Sequence, residues 1–153
     1  MEYGSIEREF HVDASPEVVF EVLSSPEHIR EWWGAEADVR PAVGSAGELA
    51  WGRGTPEAHI VPLTVVDADP PRLFAFRWAY DDGEVPSATN SFLVTFTLTP
   101  AGAGTAVRLT EVGFRERGWE AAVLEAHYEE HRVGWDTHLA GLRDYLVRLV
   151  ATR

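Results

Sequence analysis

The chain has 153 residues, 25 of them acidic against 13 basic, with a formal net charge of −12 and no cysteine. That length builds one core rather than two, so one domain over residues 1–153 is expected. Without cysteine there can be no disulfide, thiol nucleophile or cysteine-based zinc site, which fits a reducing compartment and makes cytoplasm the expected location. The acidic surplus repels phosphate backbones and anionic lipid, so neither nucleic acid nor membrane is an expected partner.

The start, "MEYGSIEREF", has no basic segment followed by an apolar run, and no later stretch is long and apolar enough to cross a bilayer. The first ten or so residues alternate as a strand. In "DASPEVVFEVLSSPEHIREWW", Ser15 suits an N-cap, Pro16 the first turn and Glu17 the positive end of the helix. Pro26 then restarts the chain as a second short helix ending at Trp32 and Trp33, and the two form a hairpin.

From Ala35 to Phe114 the period becomes two, broken by "VGSAG", "GRGTPE", "DADPPR", "DDGEVPS" and "TPAGAGT", which predicts a meander of antiparallel strands. Parity puts Phe74, Phe76, Trp78 and Tyr80 on one face of their strand, and Phe92, Val94, Phe96 and Leu98 on one face of the next. Arg77 is then expected on the opposite face. A last helix is predicted from about Trp119 to Val150, with Gly134 as a bend. The order is α+β.

On that helix "HYEEHRVGWDTH" sets His127, His131, Trp135 and His138 within one arc at about 100° per residue. Leu124, Leu142, Tyr145 and Leu149 share the arc, so the helix lies half over a cavity and half over packed core. Glu130 is expected to point away. His127 and His131 stand about 6 Å apart along the axis and His138 about 10 Å beyond, so the histidines alone do not assemble a metal site, and no metal is expected. Phosphate-loop, dinucleotide and nucleophile-elbow motifs are missing, and no cofactor is expected.

Four segments, "VDASPEVVFEVLSSPEHIREWWG", "VVDADPPRLFAFRW", "FLVTFTLTPAGAGTAVRLTEVGF" and "HRVGWDTHLAGLRDYL", resemble the bacterial proteins named for the activator of the heat-shock protein 90 ATPase. These belong to the START-like, birch-pollen-allergen-like and polyketide-cyclase superfamily. The resemblance implies a helix-grip fold: a curved antiparallel sheet around a long C-terminal helix, two short helices after the first strand, and a cavity between sheet and helix. It also implies a hydrophobic small-molecule ligand, and in some members cyclisation. Many members have histidine after the strand ending "LT", where this chain has Glu111. The eukaryotic co-chaperone carries an additional N-terminal domain, and no such domain is expected here.

The cavity candidates are Trp33, Trp51, Phe76, Trp78, Glu111, His127, His131 and Trp135. The aromatics offer flat apolar surface. Glu111 shares parity with Val107 and Leu109, so it faces inward with them and stands opposite His131 and Trp135, while His138 is expected lower, enclosed by packed core or the helix hairpin. His131 is expected to form a cavity wall whose replacement by leucine leaves folding nearly intact. The leading expectation is a carrier, sequestering or sensing domain for a hydrophobic or aromatic molecule. The alternatives are an enzyme, such as a cyclase, dehydratase or hydrolase using Glu111 and His131, and a co-chaperone-like interaction module. A protein partner or homodimer stays open.

Overall fold

A computed structural model describes residues 3–152. Strand β1 (Ser5–Val12) leads into helices α1 (Pro16–Ser24) and α2 (Pro26–Trp33). Six strands follow: β2 (Glu36–Asp38), β3 (Ala46–Trp51), β4 (His59–Asp69), β5 (Leu73–Trp78), β6 (Phe92–Ala101) and β7 (Gly104–Val112). After one 3-10 turn at Arg115–Arg117 the chain closes with α3 (Ala121–Ala151). The strands form one antiparallel sheet in the order β1-β7-β6-β5-β4-β3-β2.

Local chemistry sets these boundaries. Ser15 caps α1, its side chain accepting from the Val18 amide at 3.2 Å, and Pro16 occupies the first turn, where a missing N–H leaves no bond unmade. Ser25 ends α1 and begins α2, and Gly34 ends α2 in the left-handed conformation, which a residue without Cβ adopts readily. Both short helices start and stop as their capping residues require.

The sheet presents one face to the helices. Ile6, Glu111, Val94, Phe76 and Val65 form a transverse row across five strands through the pairs Ile6↔Glu111, Glu111↔Val94, Val94↔Phe76 and Phe76↔Val65. All five are buried. On α3 the buried residues are Trp135, Leu139, Leu142 and Leu146, a stripe at helical spacing that packs with the sheet and with Trp32 and Trp33 into one core cluster. Tyr128 donates to the Ser5 carbonyl at 2.9 Å, and Arg8 pairs with Asp136 at 2.7 Å, fixing the helix against β1.

Arg77 lies outside this core and reaches toward Ser87 and Ser91, as strand parity requires. Two expectations change. Tyr80 leaves the aromatic face, because Ala79 takes a left-handed backbone (φ 67°) that reverses the alternation, and the Tyr80 hydroxyl meets Thr64 Oγ1 at 2.7 Å. The last helix begins at Ala121 rather than Trp119, and Trp119 folds back along it.

Candidate functional site

Four tryptophans at element ends and mid-helix converge between the sheet and α3. Trp33 closes α2, Trp51 closes β3, Trp78 closes β5, and Trp135 lies within α3. The ring centroids of Trp33 lie 5.9 Å from Trp51, 5.5 Å from Trp78 and 5.3 Å from Trp135, and those of Trp78 and Trp135 are 5.8 Å apart. All are tilted or edge-on, the arrangements that aromatic quadrupoles favour. They wall a cavity of ≈ 380 Å³. Val61 and Ala79 complete the sheet side, His131, Gly134 and His138 the helix side, and exposed His59 and Glu130 stand among the lining residues nearest solvent.

Behind this wall lies a carboxylate. Glu111 has no exposure, and its oxygens accept from three donors on the wall. Its Oε2 accepts from the Trp78 indole at 2.8 Å, and its Oε1 accepts from the Trp135 indole at 2.9 Å and from His131 Nδ1 at 2.8 Å. Burying a carboxylate in an apolar row is tolerable only with such partners. The Trp51 indole donates to the Trp33 carbonyl at 3.1 Å. Three indole N–H groups are therefore already engaged within the protein, and these rings offer the cavity carbon and π surface rather than donors.

The His131 ring is wedged between Phe92 and Phe114, with centroids 4.5 Å and 5.2 Å away, and Glu111 fixes its Nδ1. Because the carboxylate accepts, Nδ1 carries the proton and Nε2 is the nitrogen left for chemistry in the neutral ring. Burial holds His138 below the usual imidazole range, favouring its neutral form beside Trp33, 6.0 Å between ring centroids. Burial also lowers the Arg117 pKa; its guanidinium lies over Phe92 and Trp119 and donates to the Ala79 carbonyl at 3.1 Å.

Of the residues expected at the cavity, Trp33, Trp51, Trp78, His131 and Trp135 line it. Phe76 is displaced one layer back, packed against Trp33 and Trp78, because those larger rings cover it. Glu111 faces inward as its parity requires but sits behind the wall, held there by the two indoles. His127 is separated from the others and stacks on Trp119 at 4.0 Å, a partner created by the turn before α3. His138, expected to be enclosed by packed core or the helix hairpin, packs beside Trp33 at the end of that hairpin and also lines the cavity, as does Glu130, expected to point away. The helix is rotated so that Glu130, Gly134 and His138, one turn apart, share the opening with His131 and Trp135. His59 was not anticipated, although its pairing with Trp51 across the β3–β4 hairpin brings it to the same edge. Among the described residues no group of three histidine, aspartate or glutamate side chains is placed to hold a metal ion.

A long C-terminal helix laid against an open antiparallel sheet, with two short helices after the first strand and a cavity between the layers, defines a helix-grip domain of the START-like type. The chain belongs to the family described as activator of Hsp90 ATPase homolog 1-like protein, whose model matches residues 13–147. Protein MLL2253 from Mesorhizobium loti is similar in structure, with 23% identity, coverage of 94% of this chain and 97% of that one, and a TM-score of 0.74. The Aha1 dimer from Colwellia psychrerythraea gives 22%, 93%, 95% and 0.71 for the same measures. CalU16 from Micromonospora echinospora gives 21%, 99%, 83% and 0.63. At these identities the likeness concerns the fold. A comparison with curated proteins finds no match.

Proposed function

We propose that this domain binds a small, largely apolar molecule in the tryptophan-walled cavity, as a carrier, sequestering or sensing protein. The observation that supports this reading is the composition of the wall. Four large rings enclose ≈ 380 Å³, and the indole N–H groups of Trp51, Trp78 and Trp135 are bonded within the protein. The volume is within the ordinary range for small-molecule sites, and a wall of ring surface with few convergent polar groups suits an aromatic or acyl body. Gly134 adds to it: a Cβ there would meet nothing within 4 Å, so the missing side chain leaves space open.

The test is small-molecule mass spectrometry on protein purified without denaturation, with Gly134→Met purified in parallel. One apolar compound at near-stoichiometric amount in the wild type and absent from the variant supports the reading. The same compound in both places the ligand elsewhere and contradicts it.

A second reading rests on the His131–Glu111 contact. A buried carboxylate that fixes one ring nitrogen while the imidazole lines a cavity is an arrangement able to move protons. A bound compound that is chemically altered by wild type but unaltered by His131→Gln would favour an enzyme. A co-chaperone role draws support from the family description and from the dimeric Aha1 relative alone.

A further inference from the structure

The cavity lining holds an acidic side chain and no permanently basic one. Among the cavity's lining residues there is no arginine, and the chain contains no lysine at all. Glu130, exposed at the opening, is acidic. Behind the wall the Glu111 carboxylate is covered by its three donors, Trp78, Trp135 and His131. His138 is held toward its neutral form by burial, and His59 is exposed to solvent. The Arg117 guanidinium is engaged with the Ala79 carbonyl and with the rings of Phe92 and Trp119. The whole protein carries −12.

Trp33, Trp51, Trp78 and Trp135 all line the cavity; a tryptophan face carries the negative lobe of the ring quadrupole, and indole is the strongest side-chain partner for a cation. Trp78 and Trp135 go further. Both donate their N–H to the same buried carboxylate, at 2.8 and 2.9 Å, which pushes electron density into the rings and deepens the negative potential on their faces. An anionic ligand would meet Glu130 and aromatic rings, with no arginine among the lining residues to answer it. A neutral ligand gains only apolar contact.

Resting on the ligand-binding reading above, we infer that the cavity takes an organic cation, a quaternary ammonium compound with an apolar or aromatic body. A quaternary nitrogen brings a weakly hydrated charge and no N–H donors, so it enters a site with few free acceptors without leaving polar groups unpaired.

The experiment titrates the wild-type protein with three probes of matched shape: benzyltrimethylammonium, its neutral carbon isostere neopentylbenzene, and the anion phenylmethanesulfonate. Calorimetry and tryptophan fluorescence report binding. The cation is expected to bind about tenfold more tightly than the neutral isostere, within the range of a desolvated cation–π site, and the anion not to bind. Glu130→Lys, a change at an exposed position of the opening, is expected to weaken the cation more than neopentylbenzene, lowering the cation-to-neutral ratio. If the neutral isostere binds as tightly as the cation, or the anion binds best, the cation preference is overturned while small-molecule binding stands. If none of the three binds, both fail. A Glu130→Lys protein with an unchanged cation-to-neutral ratio overturns the charge complementarity on which the inference rests.

Discussion

Trp78 and Trp135 donate to opposite oxygens of one carboxylate, that of Glu111, so a sheet residue and a helix residue are tied through a third side chain that neither solvent nor cavity reaches. This clamp joins the sheet side of the wall to the helix side. Replacing Glu111 by leucine removes the acceptor from the buried Trp135 indole, the half-buried Trp78 indole and one imidazole, each of which then loses its partner. The expected cost is about 3 to 5 kcal/mol, as for breaking a buried charged pair, measured as the change in unfolding free energy in urea. A loss under about 1 kcal/mol would mean that water or relaxation satisfies the three donors.

His131 takes part in the same clamp, so it is more than a cavity wall. Replacing it by leucine removes one of the three donors to Glu111 and leaves the carboxylate underpaired. The sequence alone suggested a nearly silent change. The contact at 2.8 Å instead predicts a loss of about 1 to 3 kcal/mol. Denaturation of His131→Leu beside His131→Gln, which keeps a donor, decides between the two.

Leu142 anchors the other half of the helix and has no exposure. Leu142→Ala should destabilise the domain by about 2 to 5 kcal/mol, the range for large-to-small changes in a core, with little effect on ligand affinity. A chemical melt and one ligand titration check both parts.

His138 gives the pH dependence a sign. Burial lowers its pKa in the folded protein, so between the unfolded value near 6.5 and the lower folded value the unfolded chain binds more protons. The contribution to stability is full above pH 6.5 and is lost as pH falls through the folded pKa. Urea midpoints followed from pH 7.5 to about 5 should therefore fall more steeply in the wild type than in His138→Gln. Parallel curves for the two proteins would show that His138 is not the titrating group.

Most of the fold was legible because short-range chemistry fixes it. Ser15 and Pro16 begin α1, period-two runs set the faces of β5 and β6, and Glu111 follows Val107 and Leu109 inward. The site was legible in its tryptophans and in His131. What escaped depends on contacts distant in sequence. Tyr80 turns out because one alanine adopts a positive φ, which no propensity foretells. His127 leaves the arc for Trp119. The helix rotation that brings Glu130 and His138 to the cavity is set by packing of Trp135, Leu139, Leu142 and Leu146, and a straight arc drawn on the sequence does not fix that angle to within one residue.

The two glycines of α3 offer the most direct test of the cavity. At Gly134 a Cβ meets nothing within 4 Å, whereas at Gly141 it would stand 3.1 Å from the Trp32 carbonyl oxygen. Gly134→Ala should thus stabilise the helix by up to about 1 kcal/mol, and Gly141→Ala should gain less or lose stability. The decisive measurement is titration of the wild type and Gly134→Met with the neutral fluorescent probe N-phenyl-1-naphthylamine, with melting temperatures recorded alongside. The account predicts one blue-shifted probe per wild-type chain and at least tenfold weaker binding to Gly134→Met, whose melting temperature is equal or higher. Equal binding by both proteins, or none by the wild type, would contradict the claim that the tryptophan-walled space between sheet and helix is a ligand site.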